Sequence, residues 1–122
     1  MASDQQKLQS LIDAYQKLQN DLQATVTARQ KLESQQQENK GVQKEFTLLP
    51  PTSQIYKLIG PVLLKQDRSE AVMAVEGRLE FIDKEIKRIE SQIQSMQSES
   101  ENKKMEVYRL QTQLQQQGES VS

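Results

Sequence analysis

The residue types that carry out most enzyme chemistry are absent from this sequence. It contains no His and no Cys. Their absence removes the usual general base, the commonest metal ligand, thiolate metal sites and disulfides. Nucleophilic machinery of the Ser-His-Asp or Cys-His kind is therefore impossible. We expect no catalytic residue, no metal site and no cofactor.

The remaining charged residues do not form a concentrated patch. Lysine and arginine total 16 against 17 acidic residues, so the net charge is −1. Lys84, Lys87 and Arg88 lie among acidic residues, which is typical of a solvated face. A nucleic-acid partner is not expected, because such proteins carry a basic footprint. The four Gly residues, at positions 41, 60, 77 and 118, are too scattered for a phosphate-binding loop.

The composition favours long helices over a compact globule. The 122 residues suit one domain, but only 34% are hydrophobic, against roughly 45–50% in ordinary domains. Gln occurs 21 times. No run approaches the ~20 apolar residues of a membrane span, and residues 1–20 lack the apolar core of a signal peptide. We therefore expect no membrane partner and a cytoplasmic location, with the nucleus as the alternative.

A first helix is predicted over residues 4–48. Its apolar residues recur in steps of three and four, which is the seam of a coiled coil. Ser3 and Gln6 have the spacing of a capping box at its start, and Pro50 with Pro51 ends it. The seam consists of Leu8, Leu11, Tyr15, Leu18, Leu22, Thr25, Arg29 and Leu32.

A second helix is predicted over residues 68–117, with a flexible tail over 118–122. The same alternation of steps continues in one frame for six heptads, with polar interruptions at Ser100 and Lys103. Chance rarely maintains a frame for that length. The apolar seam positions are Val72, Val75, Leu79, Ile82, Ile86, Ile89, Ile93, Met96, Val107, Leu110 and Leu114.

Residues 53–66, between the helices, have the pattern of a β-hairpin. Two five-residue runs, 55–59 and 62–66, flank a Gly-Pro turn and are mostly apolar or β-branched. The hairpin is apolar on both faces. An isolated hairpin is marginal in water, and its open edges invite pairing with another chain. The residues expected to mediate subunit assembly are Ile55, Tyr56, Leu58, Ile59, Gly60, Pro61, Val62, Leu63 and Leu64.

These elements predict a mainly α fold. It is a long antiparallel two-helix coiled coil with one β-hairpin at the connecting end, in a single domain over residues 1–122. A register in which opposite residue numbers sum to 125 places Leu18 by Val107 and Thr25 by Ser100, so that small polar residues coincide. A shift of one heptad also gives acceptable pairs and stays open.

Three stretches of the sequence resemble the prefoldin family. The run Tyr56–Gln66 is similar to the hairpin of beta-class prefoldin subunits, and Arg78–Ile82 with Glu85–Arg88 is similar to the start of their second helix. The stretch Arg29–Glu33 resembles the first helix of the subunit 6 branch of eukaryotic prefoldins. Alpha-class subunits carry two hairpins, so the single hairpin supports the beta class.

The resemblance implies a role in a chaperone complex. It implies a hexamer in which this chain assembles with two alpha-class and three further beta-class subunits, their hairpins forming an intersubunit β-barrel. It also implies an ATP-independent holdase, which captures unfolded actin and tubulin and passes them to the cytosolic chaperonin.

Client binding would need apolar surface at the free ends of the helices. Ile12, Met105 and Tyr108 fall outside the two-helix seam, whereas the other candidates are seam residues that could equally well only close the coil. An alternative that stays equally open is that Met105 and Tyr108 are single exposed apolar residues without a role in binding. The client-binding candidates are Leu8, Leu11, Ile12, Tyr15, Met105, Val107, Tyr108, Leu110 and Leu114.

Met73 and Phe81 also lie off the seam, near the hairpin end of the second helix. We expect them to pack under the hairpin body, although single exposed apolar residues are common.

A structural coiled-coil tether or scaffold without client binding is the alternative function. Heptads fit both functions, but an apolar hairpin in mid-chain has no purpose in a continuous rod. An enzyme is the third and least favoured class.

Overall fold

The computed structural model describes residues 3–121, and the side chains of residues 3–118. The order of elements is α1 (Asp4–Leu48), β1 (Ile55–Ile59), β2 (Val62–Gln66) and α2 (Arg68–Val121). The predicted fold class, two long helices with one antiparallel hairpin between them, is confirmed. Backbone contacts divide the chain into two compact units, residues 1–28 with 89–122 and residues 29–88.

The capping box predicted for the start of α1 is present. The Ser3 backbone N–H donates to the Gln6 side-chain oxygen at 3.1 Å, and the Gln6 N–H donates to the Ser3 hydroxyl at 3.1 Å. These bonds satisfy two backbone donors that a helix start leaves without partners. At the other end the helix stops at Leu48, before Pro50 and Pro51, and the Pro50 carbonyl accepts the Ser53 N–H at 3.0 Å.

The two helices contribute unequally to the core. None of the 45 residues of α1, all of them described, is fully buried. Continued beyond Leu32 in the same steps, the seam runs to Phe46, and each of its positions is partly shielded. Its middle is largely polar, with Thr25 and Arg29 before Leu32 and with Gln36 and Asn39 after it. Among the side chains that the structure describes, the buried apolar ones all come from α2: Ala71, Val75, Ile82, Ile86 and Ile89.

The register predicted from residue numbers that sum to 125 is wrong. Within the unit formed by residues 1–28 and 89–122, the Gln19 amide donates to the Ser100 hydroxyl. The predicted register places Thr25 there instead, six residues or about 9 Å further along the helix. Thr25 donates its hydroxyl to the Asp21 carbonyl of its own helix at 2.8 Å. This contact fits the alternative shifted by one heptad, in which opposite residue numbers sum to 118 and Leu18 is the seam residue paired with Ser100.

Hydrogen bonding explains why aligning the small polar residues Thr25 and Ser100 selected the wrong register. Ser100 is only 7% exposed, and a buried hydroxyl without a partner costs free energy. The observed register gives it the amide of Gln19 as a donor. The long glutamine side chain reaches Ser100 from a position beside the seam, and an alignment that compares only seam residues does not consider that position.

The second helix extends beyond its predicted end. It continues to Val121, so the end at residue 117 is wrong, and residues 118–121 are helical where a flexible tail was expected. Residue 122, the rest of that predicted tail, lies outside the described residues. Three consecutive glutamines, which are good helix formers, precede Gly118, and no proline follows to stop the helix. Among the described residues, neither helix has a stretch apolar enough to cross a membrane.

We predict that a disulfide can distinguish the two registers. The chain has no Cys of its own, so an introduced pair has no competitor. Leu18→Cys with Ser100→Cys should cross-link efficiently under mild oxidation, because the observed register places these residues opposite each other. Leu18→Cys with Val107→Cys should cross-link poorly. Mobility on non-reducing gels measures both. Preferential cross-linking of the second pair would contradict the observed register.

Candidate functional site

The hairpin pairs β1 with β2 in an antiparallel register. Ile59 lies opposite Val62, Leu58 opposite Leu63, and Lys57 opposite Leu64. Gly60 has a φ of 58°, in the left-handed region, and proline fixes a negative φ at the next position. A positive φ followed by a negative one is the pattern of a type II′ turn, whose twist matches that of the two strands.

Both faces of the hairpin present apolar side chains to solvent. Because side chains alternate along a strand, Leu58 and Leu63 share one face, and they are 67% and 63% exposed. Ile59, Val62 and Leu64 lie on the opposite face and are about half exposed. None of the described residues covers these side chains, so they form an apolar surface that is unusual for a hairpin in water.

The other predicted assembly residues flank this apolar surface. Tyr56 is 52% exposed, and its hydroxyl donates to the Gln54 side-chain oxygen at 2.7 Å. Ile55 is partly shielded at the start of β1, and Pro61 is exposed at the turn. Each face also carries one lysine, Lys57 or Lys65. The nine predicted positions thus form one continuous structural unit, the two strands and their turn.

Arg68 is a structural residue of this region that the sequence reasoning missed. Its guanidinium donates to the carbonyl oxygens of Phe46, Leu49 and Pro50 at 2.7, 3.0 and 3.1 Å. The sequence contained only an indirect signal for this role of Arg68, at the end of α1. The last turn of α1 contains no basic residue, although a cation is favourable at the C-terminal end of a helix.

Met73 and Phe81 are both exposed on α2, by 67% and 65%. Phe81 borders an open groove of about 570 Å³ that also includes Gly77. A Cβ atom added at Gly77 would meet nothing within 4 Å, so packing within this chain does not require a glycine there. The expected packing of Met73 and Phe81 under the hairpin body stays a prediction.

The predicted client-binding residues fall into two groups by exposure. Met105 and Tyr108 are 56% and 72% exposed and line a shallow pocket of about 450 Å³ along α2. Ile12 is partly shielded beside the seam. The seam residues among the candidates are also partly shielded, as expected for residues that close the coil. They are Leu8, Leu11, Tyr15, Val107, Leu110 and Leu114.

The charged residues of α2 form local ion pairs. Lys87 lies 3.1 Å from Asp83, and Arg88 lies 2.8 Å from Glu85. The hydrogen bond from Arg88 lowers the pKa of the Glu85 carboxyl, and the same bond raises the pKa of Arg88. In the part of the chain that the structure describes, no group of three or more acidic residues could hold a metal ion.

The sequence as a whole matches the family of prefoldin subunits over residues 9–114. The chain belongs to the prefoldin family. Prefoldin subunit 6 of Bos taurus and of Homo sapiens are each 43% identical to it over 111 residues, which cover 91% of this chain and 86% of theirs. Prefoldin subunit 6 of Saccharomyces cerevisiae is 49% identical over 96 residues, 79% of this chain and 84% of that protein.

Solved prefoldin structures have the same fold. The prefoldin beta subunit from Thermococcus strain KS-1 has a TM-score of 0.78 at 20% identity, covering 88% of this chain and 94% of that one. The beta2 subunit of the same strain has a TM-score of 0.65 at 23% identity, over 75% and 97%. The predicted resemblance to beta-class prefoldins, and to subunit 6 among them, is confirmed. A prefoldin co-chaperone subunit that assembles with other prefoldin subunits is the role that family membership supports.

We predict that Gly60→Ala weakens the hairpin. A Cβ atom at this position meets nothing within 4 Å, so the cost arises from the left-handed backbone alone, about 1–2 kcal/mol for an L-residue. Gly41→Ala is the matched control, because Gly41 also has open space around it but lies in α1, where alanine stabilises by up to about 1 kcal/mol. Thermal unfolding of the assembled protein should therefore shift in opposite directions. A higher unfolding temperature for both variants would contradict the prediction that a side chain at position 60 strains the turn.

Proposed function

We propose that this chain is a subunit of the heterohexameric prefoldin co-chaperone, alongside two alpha-class and three further beta-class subunits. The observation that carries the proposal is the apolar hairpin, exposed on both faces, in a chain of the prefoldin family. Its strands join hairpins of the other subunits in an intersubunit β-barrel. The barrel supplies partner strands for the open edges of the hairpin and buries its exposed apolar side chains.

The energetics of the hairpin support assembly. A two-stranded hairpin is marginally stable at best in water. Each large side chain that moves from solvent into an interface contributes about 1.5–3 kcal/mol before entropy costs. Leu58, Leu63 and the three residues on the opposite face could together contribute several kcal/mol, which an isolated chain does not gain.

The proposed activity is that of an ATP-independent holdase and not of an enzyme. Unfolded clients such as actin and tubulin bind the free ends of the two helices and are delivered to the cytosolic chaperonin. Exposed apolar groups at Met105 and Tyr108 support this assignment, because flexible methionine side chains suit contacts with many different partners. The proposed location is the cytoplasm, with the nucleus as the alternative.

We predict that a charge on the hairpin releases the chain from its complex. Leu58→Asp or Leu63→Asp places a carboxylate in the proposed interface, where burial of an unpaired charge is costly. Size-exclusion chromatography with the partner subunits should show loss of the hexamer, while circular dichroism shows retained helices. Ala24→Asp, at an exposed position of α1, is the control and should assemble normally. Normal assembly of the hairpin variants would refute the barrel role, and dimerisation through the helices alone would favour a tether.

We predict that client protection depends on apolar groups at the free helix ends. Combined replacement of Ile12, Met105 and Tyr108 by Ser should reduce suppression of client aggregation severalfold, with hexamer mass unchanged. Light scattering by a denatured client during dilution measures this. Lys104→Ser with Gln113→Ser is the control: it changes polar residues of the pocket that Met105 and Tyr108 line, and it should leave suppression of aggregation intact. Equal activity of both multiple variants would exclude these apolar groups from client binding.

A further inference from the structure

The two prolines that end α1 leave helix carbonyls without their usual donors. In a regular helix the carbonyl of Phe46 accepts from the N–H four residues later, but that residue is Pro50, which has none. Pro51 removes the donor for Thr47 in the same way. No basic residue occupies the last turn of α1 to offset the negative end of the helix. A positively charged hydrogen-bond donor at the C-terminal end of α1 would therefore be stabilising.

Arg68, the first residue of α2, supplies that donor from the other side of the connection. Its Nη2 donates to Phe46 at 2.7 Å and to Leu49 at 3.0 Å, and its Nη1 donates to Pro50 at 3.1 Å. Two nitrogens of one planar group therefore serve three carbonyl oxygens. A lysine ammonium is a single point charge on a flexible chain and does not reproduce this fork.

These bonds join the two ends of the segment that carries the hairpin. The segment leaves α1 at Leu49 and returns to α2 at Arg68, so the guanidinium closes a loop of which the hairpin is the outer part. The Pro50 carbonyl also accepts the Ser53 N–H at 3.0 Å. One carbonyl thus connects the turn before β1 to the beginning of α2, which restricts the direction in which the hairpin leaves the helices.

We propose that Arg68 is a positioning residue for subunit assembly, and the proposal rests on the function proposed above. By closing the connection, Arg68 holds the hairpin in the orientation in which it meets the strands of neighbouring subunits. Ordering a segment before association reduces the entropy lost on binding. Arg68 therefore raises the affinity for partner subunits without contributing to the apolar interface itself.

The test compares Arg68→Met and Arg68→Lys with Arg78→Met, an exposed arginine of the same helix. The remaining prefoldin subunits of the same organism are titrated into each full-length chain, and native mass spectrometry gives the concentration for half-assembly. Arg68→Met should raise that concentration at least tenfold, which corresponds to about 1.4 kcal/mol. Arg68→Lys should lie between Arg68→Met and the wild type, and Arg78→Met should stay within twofold of the wild type.

Hydrogen exchange separates positioning from general stability. In the free Arg68→Met chain, amides of residues 55–66 should exchange faster, while those of α2 beyond Ile82 keep their protection. At saturating partner concentration the variant should reach full hexamer mass. Half-assembly within twofold of the wild type would overturn the proposal, and so would loss of protection throughout both helices. Failure of the wild type to assemble would instead contradict the proposed function.

Discussion

An apolar hairpin that its own chain leaves uncovered is the feature on which this structure depends. Leu58 and Leu63 on one face, and Ile59 and Val62 on the other, all face solvent. The hydrophobic effect disfavours that exposure, and none of the residues that the structure describes shields these side chains further. We propose that other subunits supply the cover. Membership of the prefoldin family supports assembly with other prefoldin subunits.

The two helices that carry the hairpin contribute unequally to the buried core. Branched apolar residues of α2 are buried, whereas α1 shields them with a seam that is polar in its middle. Apolar matching alone discriminates weakly between registers when one partner offers few apolar residues. A buried polar contact is a stronger constraint, because the buried Ser100 hydroxyl needs a hydrogen-bond partner and the observed register lets the Gln19 amide be that partner.

Local features of this fold were predictable from the sequence, and long-range ones were not. The capping box at Ser3, the turn at Gly60 and the heptad frames depend on residues a few positions apart. The register depends on a side chain 81 residues away, and the role of Arg68 depends on carbonyl groups 18 to 22 residues before it. The apolar hairpin and its need for other chains were predictable from its open edges, but the kind of partner subunit needed the family resemblance.

The polar seam of α1 has a consequence for how the chain folds during its synthesis. The ribosome synthesises α1 before the apolar residues of α2, and α1 has no fully buried side chain of its own with which to form a core. Some 40 residues separate its end from Ile89, which is about 2–8 s of translation at 5–20 residues per second. The first helix therefore cannot complete its coiled coil until the part of α2 that ends at Ile89 has been synthesised.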